Sequence, residues 1–317
     1  MTDNLKLEFL MCGNHTDAFL SQAAIYRLML DSLGKDYAEA RLVLCVGGTE
    51  RMPLPARWQK PFEGIEVLWA DTDEYRLHGD LAQSDLIYRV MTPSANISII
   101  CDADTLLLQP FPEDFISAMV RSPALSGCIA HYPPPLNDLR TPAPTPVLST
   151  RELWDILGRK ILGRRIDFPF SYTLREEPEP CPFYINFGFF AGTPALFREF
   201  YREYKSLVPL VREVLDNDFY EQIALTFSIE RAALPVRTLP IRFNFPNDVV
   251  AEALYPQDAA DIINIHYLRT NLFNRHHIFA AEDEFNRFMG MPLEGSSAVF
   301  REALRNHTDG TYPFSCF

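Results

Sequence analysis

The sequence predicts an α/β fold: a mainly parallel central sheet, helices on both faces, and a segment inserted near the middle of the chain. Three observations predict it. Short apolar runs alternate with helical periodicity through the first hundred residues, an aliphatic run ends abruptly at two aspartates, and a proline-rich stretch interrupts the alternation from 133 to 181. Parallel neighbours cannot be joined by a tight hairpin, so strands and helices must alternate if the sheet is parallel.

Taken in order, LKLEFLMC at 5–12 reads as the first strand. Phe19, Ala23, Tyr26, Leu30 and Leu33 then step by four and three, the spacing of one helix face, with Asp17 as N-cap and Gly34 as the stop. ARLVLCV at 40–46 and GIEVLWA at 64–70 are further strands, and 81–91 is a helix. NISIICDADTLLL is a buried strand that stops at Asp102, and ALSGCIAHY is another strand. The stretch PPPLNDLRTPAPTP opens the insertion, because its prolines remove the backbone donors a helix or central strand requires. Within the insertion only RELWDILGRKILGRRIDF looks helical. FYINFGFFAG restores a buried strand, followed by helices at 194–207 and 217–231 and a strand at 261–268. Beyond about 280 no pattern is strong. We therefore divide the chain into a catalytic unit over 1–280, with 133–181 inserted, and an extension over 281–317.

With 317 residues, 47% of them apolar and 22% charged, the chain can bury one large core without disulfides or structural metal. A net charge of −13 opposes binding to nucleic acid or to an anionic membrane, so an anionic substrate must meet a bound metal or a local cluster of cations. There is no leader-like opening and no apolar run of bilayer length, which predicts a cytoplasmic protein, or one held peripherally at a membrane, with no integral membrane segment. The six cysteines are scattered through apolar runs and lack metal-ligand spacing, so they read as reduced core thiols. The sequons at Asn14, Asn96 and Asn306 read as chance.

Asp102 and Asp104 flank Ala103 directly after Ile99-Ile100-Cys101. In open α/β sheets the ligand crevice lies at the carboxyl ends of strands, which places both carboxylates for chemistry. Two hard oxygen ligands on one short turn suit Mg²⁺ or Mn²⁺ beside a diphosphate. Two other readings stay open: a solvated turn after a strand, and a phosphatase of the haloacid dehalogenase type, with the first Asp as nucleophile and the second as acid/base. That phosphatase motif has Thr or Val where this chain has Leu106, and it normally ends the first strand.

ISIICDADTLLLQPF resembles the strand and D-x-D motif of retaining GT-A glycosyltransferases of the glycogenin and bacterial galactosyltransferase type (family 8). Other stretches follow in that family's order. SDLIYRVMTPS resembles its helix with an arginine near the donor, here Arg89. FYINFGFFAG resembles its N-x-G strand, which implies that Asn186 meets donor-sugar hydroxyls and that Gly188 allows close backbone approach. DNDFYEQIALTF resembles its D-Q helix start, with Gln222 in the Gln place and Glu221 where Asp is usual. IINIHYLRT resembles the strand whose histidine completes the metal site, here His266. The family then carries a lysine that grips the diphosphate; this chain lacks it, and Arg269 is the nearest substitute. Gly13 and Asn14 match the nucleotide-base region by position.

The resemblance covers the chain to about residue 270 outside the insertion. It implies a hexosyltransferase using Mn²⁺ or Mg²⁺ and a nucleotide-sugar donor, UDP-linked first, with an acceptor that could be glycan, lipid or protein. Retention would follow from a far-face nucleophile or from same-face attack, and we favour the latter. The insertion is expected on the acceptor side, through Arg159, Lys160, Arg164 and Arg165. Sugar-1-phosphate nucleotidylyltransferases need a glycine-rich loop that CGNHTDAF does not supply. A non-catalytic nucleotide-sugar binding protein remains the other alternative.

Overall fold

The computed structural model describes residues 5–136, 148–215, 217–268 and 273–314. Four strands open the chain: β1 (Leu7–Asn14), β2 (Arg41–Gly47), β3 (Ile65–Trp69) and β4 (Ile97–Ile100). They are followed by β5 (Thr105–Leu107), β6 (Leu125–Ile129), the short pair β7 (Phe170–Ser171) and β8 (Pro180–Cys181), and β9 (Ile185–Gly192). The last are β10 (Val236–Thr238), β11 (Phe245–Pro246) and β12 (Asn264–His266). A seven-stranded sheet runs in the order β10-β6-β9-β4-β1-β2-β3, and β9 alone in it is antiparallel to its neighbours. The expected mixed α/β architecture with a mainly parallel sheet is what the chain adopts.

Both faces of that sheet are covered, which is why its strands read as unbroken apolar runs rather than alternating ones. On β1, Phe9 and Met11 join one core and Leu10 joins the other, with Leu42 and Leu44 of β2 beside the first and Val43 and Cys45 beside the second. The helix Asp17–Ser32 packs into the first core through Leu20, Ala23, Tyr26 and Leu30. Its N-cap is Thr16, not Asp17. The Asp17 carboxylate is instead drawn to the Trp58 indole N–H, at 2.7 Å, and to Arg57. Gly34 does end this helix, with φ +104, a region that favours glycine.

The reading from sequence missed the helices Thr72–His78 and Glu113–Arg121, and also Glu282–Met289 and Gly295–Thr308 at the end of the chain. The last two are strongly amphipathic but short. Phe285, Phe288, Phe300 and Leu304 enter the same core as Phe9 and Tyr26, and Tyr267 stacks on Phe300 with ring centroids 4.7 Å apart. The terminal helices thus brace the strand end that carries His266.

In the inserted segment the helix Thr150–Leu162 begins with a reciprocal capping box between Ser149 and Glu152. Trp154 is buried edge-on to Tyr184 at 5.5 Å. Lys160 pairs with Glu213 at 2.6 Å, Arg164 with Glu230 at 3.0 Å and Arg165 with Asp155 at 3.6 Å. Each of these three cations thus has an acid of the protein as a partner at the surface. Residues 137–147, most of the proline-rich run, lie outside the described residues. Five cysteines, Cys12, Cys45, Cys101, Cys128 and Cys181, are unpaired, and all but Cys12 are buried. Among the described residues no helix is long and apolar enough to cross a membrane.

Candidate metal centre and donor cavity

β4 ends at Ile100, and the chain makes a tight turn through Asp102-Ala103-Asp104 before β5 begins. The turn is braced at every residue. The Thr105 hydroxyl donates to the Asp102 carbonyl at 2.8 Å, the Tyr267 hydroxyl to the Ala103 carbonyl at 3.2 Å, and the Tyr267 N–H to the Asp104 carbonyl at 3.1 Å. β5 then pairs antiparallel with β12, placing His266 opposite Thr105. That register carries the imidazole across to the acids: His266 Nε2 lies 3.2 Å from Asp104 and 3.7 Å from Asp102.

One ligand atom from each of the three residues lies within 4.8 Å of the others. Neighbouring ligands around a Mg²⁺-sized ion with bonds near 2.1 Å are about 3 Å apart, so only small adjustments separate this cluster from a coordination shell. Two carboxylate oxygens and one imidazole nitrogen form a hard donor set that suits Mg²⁺ or Mn²⁺. The residues therefore fit a divalent cation.

The electrostatics point the same way. Burial and the neighbouring Asp104 charge push Asp102 up to about 6, despite the pull of His266 and Arg275. Burial also opposes ionisation of Asp104, but His266 and Arg275 overcome it and hold that carboxyl down at about 2. Burial works against the charged imidazole of His266, yet Asp104 and Asp102 raise it above the ordinary histidine range. A cation must displace the protons on Asp102 and His266. Because both are bound more tightly than usual, Mn²⁺ affinity should begin to fall as pH drops through the raised range of His266, above that of an ordinary histidine, and fall more steeply below about 6, by roughly tenfold per unit for each proton displaced. Isothermal titration at pH 5 to 8 measures this; affinity independent of pH would exclude these two ligands.

A cavity of about 550 Å³ opens over the cluster. Asp102, Ala103, Asp104, Asn186, Gln222 and His266, all singled out from sequence, share its wall with Cys12, Phe19, His131, Tyr132, Arg275 and His276. The antiparallel course of β9 explains how Asn186 arrives, since the start of a reversed strand lies beside the carboxyl ends of its neighbours. The insertion contributes Pro133 and Pro135, directly after Tyr132.

Other predicted residues lie elsewhere. Arg89 pairs with Glu74 at 3.1 Å on the outer surface, half-exposed, and does not line the cavity. The Glu221 carboxylate accepts from the Tyr204 and Tyr220 hydroxyls at 3.0 and 3.3 Å. It too is absent from the cavity wall, and burial pushes its carboxyl upward. Gly13 lies behind Phe19, and its carbonyl accepts from Gln83 at 2.6 Å, while Asn14 is exposed at the strand end. Arg269 lies outside the described residues. Gly188 is in a close approach to the protein's own side chains: a Cβ there would sit 2.2 Å from Asn244 Oδ1 and 2.5 Å from His266 Nδ1.

The residue that sequence reasoning missed is Arg275. Its guanidinium forms an ion pair with Asp104 and donates to the Leu268 carbonyl at 3.4 Å, while Gln22 holds its own carbonyl at 3.2 Å. A cation a few residues past the histidine strand was the available signal, and Arg269 drew attention from it.

No protein-family model matches the chain, and no curated protein does. Among solved structures, WbbM, a bifunctional glycosyltransferase in its apo form, is similar with a TM-score of 0.51 and 10% identity, over 90% of this chain and 50% of that one. The galactosyltransferase LgtC in complex with donor and acceptor sugar analogs gives 0.48 at 12% identity, over 83% of this chain and 87% of that one. Mouse xyloside xylosyltransferase 1 in its apo form gives 0.48 at 12%, over 83% and 98%. The chain has the GT-A fold.

Proposed function

We propose that the protein is a metal-dependent glycosyltransferase that moves a hexosyl group from a nucleoside diphosphate sugar, UDP-linked first, to a glycan, lipid or protein acceptor with retention. The observation that carries this is the convergence of Asp102, Asp104 and His266 on the wall of one cavity, at the carboxyl end of a central strand. These three residues would hold Mn²⁺ or Mg²⁺, which supplies Lewis acidity and offsets charge on a leaving diphosphate. We assign residues 1–280 to the catalytic unit and 281–317 to an extension that braces it. We place it in the cytoplasm or peripherally at a membrane, and the net charge of −13 favours the first of these over an anionic membrane surface.

Arg275 takes the role first given to Arg269. Its planar guanidinium suits phosphate oxygens, and it already reaches the cluster where a diphosphate would lie. The Asn186 carbonyl oxygen accepts from the Gly188 N–H and from Asn244, both at 2.9 Å, which leaves its NH₂ for a donor hydroxyl. Gln222 opens from the first turn of the helix Tyr220–Arg231 into the cavity, where its carbonyl dipole can stabilise positive charge developing at the anomeric carbon. Glu221, held by two tyrosine hydroxyls, positions that helix start. Same-face attack, in which the leaving phosphate takes the acceptor proton, needs no protein nucleophile, and an amide is a poor one. The phosphatase alternative is weakened because Asp102 follows β4, not the first strand, and because Leu106 stands where that motif has Thr or Val.

The test is release of nucleoside diphosphate from a panel of nucleotide sugars, with and without acceptor, in Mn²⁺ or in chelator. Metal-dependent release is expected, and it also separates an enzyme from a binding protein. No release and no metal-dependent thermal shift with any donor would defeat the proposal. Gln222→Ala should lower kcat by more than it weakens donor binding, because its contact strengthens only as charge develops. Equal losses in the two would move Gln222 to a ground-state binding role.

A further inference from the structure

Two buried polar atoms beside the candidate metal centre have no hydrogen-bond partner among the described residues: His266 Nδ1 and Asn244 Oδ1. Both crowd one point, the α-carbon face of Gly188, where an added Cβ would meet them at 2.5 and 2.2 Å. Orphaned groups in such confinement are costly unless they satisfy each other. One is a potential N–H donor and the other can only accept.

The orientation of the Asn244 amide is fixed by its other end. Asn186 Oδ1 accepts from the Gly188 N–H at 2.9 Å, so it must face a donor, and Asn244 Nδ2 supplies that donor at 2.9 Å. Turning the amide over would set two oxygens against each other. Asn244 Oδ1 is thereby left on the side of Gly188 that His266 Nδ1 also borders, near it although the two are not hydrogen-bonded in this conformation. Asn244 is fully buried, and among the described residues no donor bonds that oxygen.

We propose that Asn244 is a positioning residue for the metal centre. It receives the Nδ1 proton of His266 and so keeps the Nε2 lone pair directed at the point between Asp102 and Asp104. A ligating histidine usually gives its second N–H to an oxygen that sets both tautomer and ring angle. Here the oxygen comes from an amide anchored through Asn186 to the backbone of Gly188. Asn186 thus acts on the metal side and on the donor side at once. This assignment rests on the metal reading of Asp102, Asp104 and His266.

The experiment has two parts. In protein labelled with ¹⁵N-histidine, His266 Nδ1 should carry a proton both without metal and with saturating Mg²⁺; a bare Nδ1 in either state overturns the proposal. Mn²⁺ titration then compares variants: Asn244→Leu, which keeps volume and loses the acceptor, should bind Mn²⁺ about 10- to 100-fold more weakly. Asn244→Asp keeps an oxygen toward the ring but loses the donor to Asn186 Oδ1, so it should bind Mn²⁺ more weakly than wild type and yet more tightly than the Leu variant, a partial rescue that a purely structural role would not give. Equal affinity of the Leu variant and wild type overturns the proposal. If Asn244→Leu does not fold, the Asp variant and the wild-type spectra decide. Should wild type bind no Mn²⁺, the metal reading fails, and the Nδ1 proton judges Asn244 separately.

Discussion

Asp104→Asn should lower turnover at saturating donor and Mn²⁺ by a factor on the order of 10² or more, the scale of comparable electrostatic deletions. Asp104 is the acid that His266 and Arg275 both address, and their charges hold it down at about 2. The amide keeps size and removes charge, so Mn²⁺ would lose a ligand and Arg275 its resting partner. The turn itself should persist, because the Tyr267 N–H bonds the Asp104 carbonyl and not its side chain. The half-exposed Arg275 can turn toward water, so the stability lost should be on the order of 1–3 kcal/mol rather than the larger cost of stranding a fully buried charge. Steady-state kinetics, Mn²⁺ titration and thermal unfolding of the two proteins check each part. An Asn variant that keeps its metal-stimulated rate would return the acid pair to a solvated turn.

Gly188→Ala should be nearly as damaging, by a different route. The new methyl would have to displace Asn244 Oδ1 and His266 Nδ1, which lie 2.2 and 2.5 Å from the Cβ position. Both belong to fully or almost fully buried side chains. Overpacking of this kind costs about 1–3 kcal/mol. The larger consequence is functional, because a shift of about 1 Å in a catalytic ligand can cost on the order of 10² in rate. We expect a folded protein with a lowered melting temperature, weakened Mn²⁺ binding and turnover reduced on that scale. Unchanged Mn²⁺ affinity with normal turnover would show that the pocket relaxes elsewhere.

How much of this was legible in the sequence depends on the kind of signal. The strands β1, β2, β4, β6 and β9 were readable because strands buried on both faces are continuous apolar runs, and the acid pair stood out against one of them. Glu282–Met289 was not, since about two turns give too few repeats to establish a period, and neither was Gly295–Thr308, whose roughly four turns bury only Phe300 and Leu304 as large apolar side chains. Asn244, in RFNFPND, has no periodic context and acquires meaning only when β11 and β12 bring it beside Gly188. Arg275 likewise depends on the path of the chain after Leu268, which no spacing rule fixes. Arg89 shows the opposite failure: a residue matched by motif whose side chain, at the end of its helix, finds Glu74 on the outer surface. Gly188 was recognised as a place of close approach, but what approaches it is the protein's own histidine and asparagine.

The antiparallel pairing of β5 with β12 also governs when the centre can come into being. Asp104 and His266 are 162 positions apart. Contacts so distant in sequence carry a loop-closure cost that must be met before they contribute anything, and they tend to form late. A nascent chain that has left the ribosome only as far as β11 already contains both aspartates, β9 and the helix of Gln222, yet it lacks the imidazole, Arg275 and the strand that braces the turn. If the three residues do hold an ion, its capture would wait until the chain has been made past Arg275, and a shorter nascent chain would carry the acids without the imidazole.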